Sequence, residues 1–360
     1  MTGRSKMILG GIAAGTAVAG VAAAIGSVIA GRKAYGQWRE WQGTTFGGEN
    51  LHGQAVLITG SSRGLGLAMA EEFARHGCNI ILCARDEAEL HRARTQVERH
   101  GVLVATYPCD VTQKNQVEHM ITFAQERFGQ VDILVNNAGA IAVGPVRTQR
   151  LEDFQEAMDI MFWGAVHPTL ALLPQMISRR RGKIVNITSI GGRVSVPHLL
   201  PYCCAKFAHV GFSEGLHSQV KKFGIHVLTV VPGLMRTGSH LNAQFKGDHE
   251  KEFGWFALSG TNPLFSISAE AAARKVVNAT RRNQTDLVLS WQAKLMAEAH
   301  GIAPGLTQEI LAIVDKMLPE SDDRASQKKP GHESQSALTR SPLTMLGKRA
   351  ARKFNQLESA

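Results

Sequence analysis

Tyr202 and Lys206 stand four residues apart in LPYCCAKFAHVGFSEGL, a stretch of helical periodicity with Pro201 suited to its first turn. Residues so spaced share one helix face, which brings a phenol and an ammonium within reach of each other. A free tyrosine has a pKa near ~10, and a neighbouring cation favours the phenolate. Such a phenol can give a proton to an oxygen or take one from it. Ser189, closing the apolar run KIVNIT, can donate a hydrogen bond to the same oxygen as negative charge develops there. By itself the pair also suits a half-buried helix residue beside a lysine. The chain has only three tyrosines, so the occurrence of one at this spacing favours the chemical reading.

A second constellation lies upstream. Thr59-Gly60-Ser61-Ser62-Arg63-Gly64-Leu65-Gly66 follows the apolar run QAVLIT and precedes LAMAEEFARHG, a helical pattern closed by Gly77. Glycines at a strand-to-helix turn let the backbone approach a pyrophosphate, which the free N–H groups of the helix then bind. The next apolar run, NIILCA, ends in Ala84-Arg85, where an acid would be expected for a free ribose 2′-hydroxyl. Arg85, with Arg63, instead suits a 2′-phosphate, which favours NADP over NAD. Either arginine also fits an ordinary surface helix start.

The elements that must position these residues follow from alternating patterns. Strand-like runs at 54–59, 79–84, 102–107, 131–137, 183–188, 225–231 and 286–290 are separated by helical stretches. That order predicts βαβ units and an α/β, doubly wound parallel sheet of about seven strands in a single main domain. The net charge of +10 is spread along the chain without an aromatic-interleaved basic patch, which argues against nucleic acid as a partner. Cys78, Cys83, Cys109, Cys203 and Cys204 lack C-x-x-C spacing and read as reduced thiols facing the cytosol.

The glycine turn, Asp110, Asn136-Asn137-Ala138-Gly139, Ser189, Tyr202 with Lys206, and Pro232-Gly233 with Thr237 closely resemble, in order and spacing, the short-chain dehydrogenase/reductase pattern over about residues 51–290. The resemblance implies a Rossmann-type sheet of order 3-2-1-4-5-6-7, a homo-oligomer, and NAD(P)-dependent interconversion of a small-molecule alcohol and a ketone or aldehyde. It implies Ser189, Tyr202 and Lys206 as the catalytic set, with Tyr202 and Lys206 also at the nicotinamide ribose. Gly60, Ser62, Arg63, Gly64, Leu65, Gly66 and Arg85 would hold the phosphates, and Asp110 and Val111 the adenine. Asn136 would brace the central strand beside Asn137, Ala138 and Gly139, and Pro232, Gly233 and Thr237 would line the nicotinamide end. Asp110 also fits a helix cap, and Pro232-Gly233 a plain turn.

One position departs from the family. Its motif D-V-N-x-x-G falls on Asp159-Ile160-Met161-Phe162-Trp163-Gly164, with Met161 where an asparagine holds a water in the proton relay. A thioether is a weak acceptor and cannot donate. The alternative to an enzyme is therefore a catalytically weak NADP-binding scaffold or regulatory protein, against which the intact Ser189, Tyr202 and Lys206 argue. His167 is a conceivable substitute, and equally an ordinary helix residue.

Three further segments frame the domain. Residues 7–31 carry no charge and are long enough for a helix to span a bilayer, with Tyr35, Trp38 and Trp41 following. They predict a single-pass membrane anchor, residues 1–50 with its linker, that leaves the catalytic domain of 51–318 in the cytoplasm, where NADP is available. Residues 234–268 read as a long structureless lid whose aromatics either line a lipophilic substrate site or anchor the lid. Residues 319–360 read as a disordered basic tail, whose end LGKRAARKFNQL suits either a short basic amphipathic helix on an anionic membrane surface or a solvated tail.

Overall fold

Aliphatic runs too short for helices and buried on both sides assemble into one parallel sheet. Its strands are β1 (Ala55–Thr59), β2 (Asn79–Ala84), β3 (Val104–Pro108), β4 (Ile133–Asn136), β5 (Gly182–Ile187), β6 (Ile225–Val231) and β7 (Asp286–Val288). The computed structural model describes residues 48–261, 266–320, 327–336 and 345–356. The chain divides into Met1–Gly48 and Glu49–Ala360, and these elements belong to the second unit. The expected membrane segment at 7–31 lies outside the described residues.

The strand order is β3-β2-β1-β4-β5-β6-β7, as the family resemblance implies. The chain reverses direction of travel between β1, which pairs with β2, and its other neighbour β4, where Leu57 faces Leu134. A crevice at the carboxyl ends of the strands is the usual place for a ligand in such a sheet. Side chains alternate across β1. Val56 and Ile58 enter one core layer with Phe73 and Val276, and Leu57 enters the other with Val117 and Leu172.

The helices covering the sheet are α1 (Gly64–Arg75), α2 (Glu87–Glu98), α3 (Lys114–Phe128), α4 (Leu151–Met158), α5 (Gly164–Ser178), α6 (Leu200–Val220), α7 (His249–Thr261), α8 (Ala269–Arg281), α9 (Trp291–Ile302), α10 (Pro304–Asp315) and α11 (Met345–Lys353). A π-helical turn, Asp159–Trp163, joins α4 to α5. Among the described residues, Leu151–Ser178 is the one helical run long and apolar enough to cross a membrane. Its apolar residues have another use here, since Leu172 and Met176 are buried in the core beside the sheet.

The lid differs from the expected structureless segment. Leu234–Arg236 pairs in parallel with Ser266–Ser268, Gln244–Phe245 pairs with Ala142–Val143, and α7 lies between. Phe245 and Phe253 are fully buried with ring centroids 5.4 Å apart, so these two aromatics anchor the lid. Backbone pairing in strands of two or three residues leaves too short a pattern to read in sequence.

The tail expected to be disordered is folded where it is described. Lys329–Pro330 adds an antiparallel strand to Gln244–Phe245, and Lys328 reaches Asp153, which also pairs with the buried Lys246. Downstream, Ala351 of α11 and Phe354 just after it enter the interior, at 0% and 1% exposed. The polar composition of 319–360 hid this because the docking uses main-chain hydrogen bonds and a few apolar side chains.

Candidate active site

The turn after β1 is built around residues that must lack a side chain. Gly60 and Gly64 have φ of +62° and +61°. A Cβ on Gly66 would lie 2.3 Å from the Gly60 carbonyl oxygen and 2.7 Å from Asn137 Nδ2. Asn137 Nδ2 donates to the carbonyls of Thr59 (3.0 Å) and Gly60 (2.9 Å), while the Thr59 hydroxyl accepts from the amides of Asn137 (3.0 Å) and Ala138 (3.1 Å). The end of β4 thus fixes the end of β1 and sets the glycine backbone at the N-terminus of α1, where anionic ligands are bound. Buried Leu65 keys that helix into the core. These residues fit a dinucleotide pyrophosphate.

An acid arrives at this turn from a place the strand pattern does not show. Glu89, in the first turn of α2, accepts from Ser62 Oγ at 2.7 Å and pairs with Arg63 at 2.8 Å. Asp86 caps the same helix by accepting from the Glu89 amide. The sequence signal was the capping spacing Asp86-Glu87-Ala88-Glu89. Arg63 is therefore occupied by Glu89 rather than free for a 2′-phosphate, whereas Arg85 is exposed. Asp110 accepts from the Thr112 amide at 3.0 Å, a cap of the turn that leads into α3. Val111 is buried, at a point where a Cβ on Gly164 would come within 2.7 Å of it.

Across the crevice, Ser189 follows β5, and Tyr202 and Lys206 occupy successive turns of α6. Lys206 Nζ donates to the Ile187 carbonyl at 2.9 Å and lies 5.9 Å from the centre of the Tyr202 ring. Ser189 Oγ accepts from the Gly191 amide at 3.0 Å. Burial pushes the Tyr202 phenol up to about 12, with the Ser189 hydroxyl offsetting part of the effect, and pushes Lys206 down to about 8. Desolvation is thus the largest influence on the phenol, ahead of the Ser189 hydroxyl. A Cβ on Gly139 would lie 3.9 Å from Lys206 Nζ and 3.7 Å from Met161 Cγ, so these three residues converge. The Pro232 carbonyl accepts from the Ile190 amide at 2.7 Å, which ties the turn after β6 to the serine segment. Gly233 lies against Ser290, and buried Thr237 accepts from the Ser239 amide at 3.2 Å.

A short chain dehydrogenase model matches residues 54–246 of the sequence. The chain belongs to the short-chain dehydrogenase family. It is 32% identical over 255 residues to a dehydrogenase/reductase SDR family protein 7-like of Anopheles gambiae, covering 67% of this chain and 76% of that protein. It is 36% identical over 187 residues to 3-ketodihydrosphingosine reductase of Mus musculus, covering 51% of this chain and 56% of that one. Among solved structures, L-sorbose reductase from Gluconobacter frateurii, complexed with NADPH and L-sorbose, superposes with a TM-score of 0.61. That structure shares 28% identity, over 67% of this chain and 96% of its own.

In this short-chain dehydrogenase Met161 lies in the π-helical turn and is 1% exposed, packed with Ala157, Ala205 and the Tyr202 ring. His167 sits 3.2 Å from the Val111 carbonyl and stacks on Trp163, so its bonding is directed away from Tyr202 and Lys206 to the segment after β3. Asn136 donates to Thr169 and Asn186, and Asn186 to Ser213, a buried polar chain between β4 and α6. The surroundings of Met161 make it a packing residue. Met161→Asn is therefore expected to lower stability by about 1–3 kcal/mol, as an amide is buried among apolar groups, without speeding turnover more than about twofold. A tenfold faster variant, in thermal melts and steady-state assays run together, would instead mark Met161 as a gap in the relay.

Proposed function

We propose that this protein is an NADP(H)-dependent oxidoreductase that interconverts a lipophilic alcohol and its ketone or aldehyde, with Tyr202 as acid and base. The observation that carries the reading is the convergence of Ser189, Tyr202 and Lys206 across a crevice from the glycine cradle. A bound nicotinamide dinucleotide supplies or accepts the hydride. Ser189 donates a hydrogen bond to the substrate oxygen, and Tyr202 delivers the proton to it during reduction. The ammonium of Lys206, fixed by the Ile187 carbonyl, stabilises the phenolate that results.

Arg85 supports NADP(H) over NAD(H). Arg85→Ala is expected to weaken NADPH about tenfold or more, the worth of a charge-assisted hydrogen bond, and NADH less than twofold. Equal losses for both in fluorescence titrations would remove this residue from cofactor choice.

A cleft of about 830 Å³ between Gly144–Arg147, Ser195–His198 and α10 supports a large substrate. Leu311 and Ala312 line it, while Leu306, Ile310, Ile313 and Met317 from the other side of the same helical segment are exposed. An apolar surface beside a cleft suits lipophilic molecules entering from a membrane, to which residues 7–31 would tether the domain. Relatives named for sphingoid and fatty acyl-CoA substrates point the same way. A screen of the full chain over long-chain and steroid-like ketones against small hydrophilic ones should favour the former by at least about tenfold in kcat/KM, the effect of burying two or more extra methylenes. Turnover confined to hydrophilic carbonyls would overturn the substrate class. Dinucleotide binding without turnover on any carbonyl would favour the scaffold reading that Met161 raises.

A further inference from the structure

The carboxyl-terminal residues described, 345–356, bridge two parts of the domain that flank the dinucleotide site. At one end the Phe354 carbonyl accepts from the Gly64 amide at 2.9 Å. Asn355, at φ +55°, donates through Nδ2 to the carbonyls of Ser62 (2.9 Å) and Glu89 (3.2 Å), and its Oδ1 accepts from Arg92 at 2.9 Å. At the other end a Cβ on Gly238 would lie 2.5 Å from Ala351, and Asn242 Nδ2 donates to Gln356 Oε1 at 2.6 Å. Phe354, 1% exposed, joins the core formed by α1 and α8, and Lys353 pairs with Glu270 of α8. One short segment thereby fastens the turn after β1 to the lid that follows β6.

We propose that residues 345–356 are a clasp that holds the glycine turn to the lid and retains a bound dinucleotide by slowing its release. The inference rests on the dinucleotide reading above. Phe354 occupies only the first amide of α1. Helix geometry gives those of Leu65 and Gly66 no partner within the helix, and such amides are the ones a pyrophosphate takes up. A ligand reaching from this turn to Pro232 and Thr237 lies between the two parts that the clasp joins, so its departure needs the clasp to open or the lid to part from the turn. Asn355 and Phe354 are on this view positioning residues, acting through Ser62, Gly64 and the lid.

Asn355→Asp keeps the shape and tolerates the left-handed backbone, but sets acceptors against the Ser62 and Glu89 carbonyls. Phe354→Ala removes the anchor by a different route, with thermal melts confirming that each full-length variant is folded. In both, stopped-flow fluorescence should show NADPH leaving about tenfold faster, the equivalent of one lost hydrogen bond, with association changed less than about twofold. Amide exchange at Gly64 should also quicken in the dinucleotide-free protein. Unchanged release in both variants overturns the clasp, and so does tighter binding, which would make the segment a plug that competes with the dinucleotide. A wild-type chain that binds neither NADPH nor NADH overturns the dinucleotide reading instead, and the Gly64 exchange rate then still reports whether the contact forms in solution.

Discussion

Tyr202→Phe should lower turnover by about 10²–10⁴-fold, the usual contribution of a positioned acid or base, while dinucleotide affinity stays within about a factor of a few, the worth of at most one neutral hydrogen bond. The ring is held by Met161, Ala157 and Ala205 independently of its hydroxyl, so the phenylalanine ring keeps that packing and the fold survives. What disappears is the one group that can exchange a proton with the substrate oxygen. Lys206 is committed to the Ile187 carbonyl, and Ser189, whose oxygen accepts from Gly191, can orient the substrate without replacing the acid. A variant that turns over within tenfold of the parent, with the same melting temperature, would remove Tyr202 from the mechanism.

Lys206→Met should separate activity from stability. Burial lowers Lys206 from 10.5 to about 8, so between those values the unfolded chain binds more protons than the folded one and stability rises with pH. Below about 8 the cost of the buried cation is fully present, roughly 3 kcal/mol by its displacement from 10.5. Replacing the cation removes that cost and leaves the Ile187 carbonyl without its donor, worth about 1–3 kcal/mol in the opposite direction. The variant should therefore melt no lower than the parent at pH 7, yet lose turnover by about 10²-fold or more as the phenolate loses its counter-charge. For the same reason carbonyl reduction by the parent should decline as pH rises through about 8, where the ammonium is lost. A flat profile to pH 10, or a variant that melts far below the parent, would show that Lys206 serves the fold rather than the reaction.

The strands and helices of the main sheet were legible because each strand is a short aliphatic run and each crossover carries a helical period, while their order followed from the family resemblance. The glycine turn was legible because its glycines stand between a strand and a helix. Glu89 was not: it reaches Ser62 and Arg63 from a helix start, and only the folded chain brings the two segments together. The direction of the Tyr202 shift was also hidden, because local spacing shows the nearby lysine but not the burial that raises the phenol. The strand pairing of the lid and the docking of the carboxyl-terminal segment escaped notice for a common reason. Gln244–Phe245, Lys329–Pro330 and the Phe354 carbonyl are held through the main chain, and main-chain hydrogen bonding leaves no mark on residue type.

The π-helical turn at Asp159–Trp163 carries one residue more than an α-helical path would need. The wider turn absorbs that residue, so the helices on either side keep the phase of one unbroken α-helix. Deleting a single residue there would leave Ala157 beside Tyr202 and Gly164 against Val111, and would shift only the residues of the turn itself, Met161 among them. Chain length at this point therefore sets which side chain stands behind the phenol while both flanking helices keep their place.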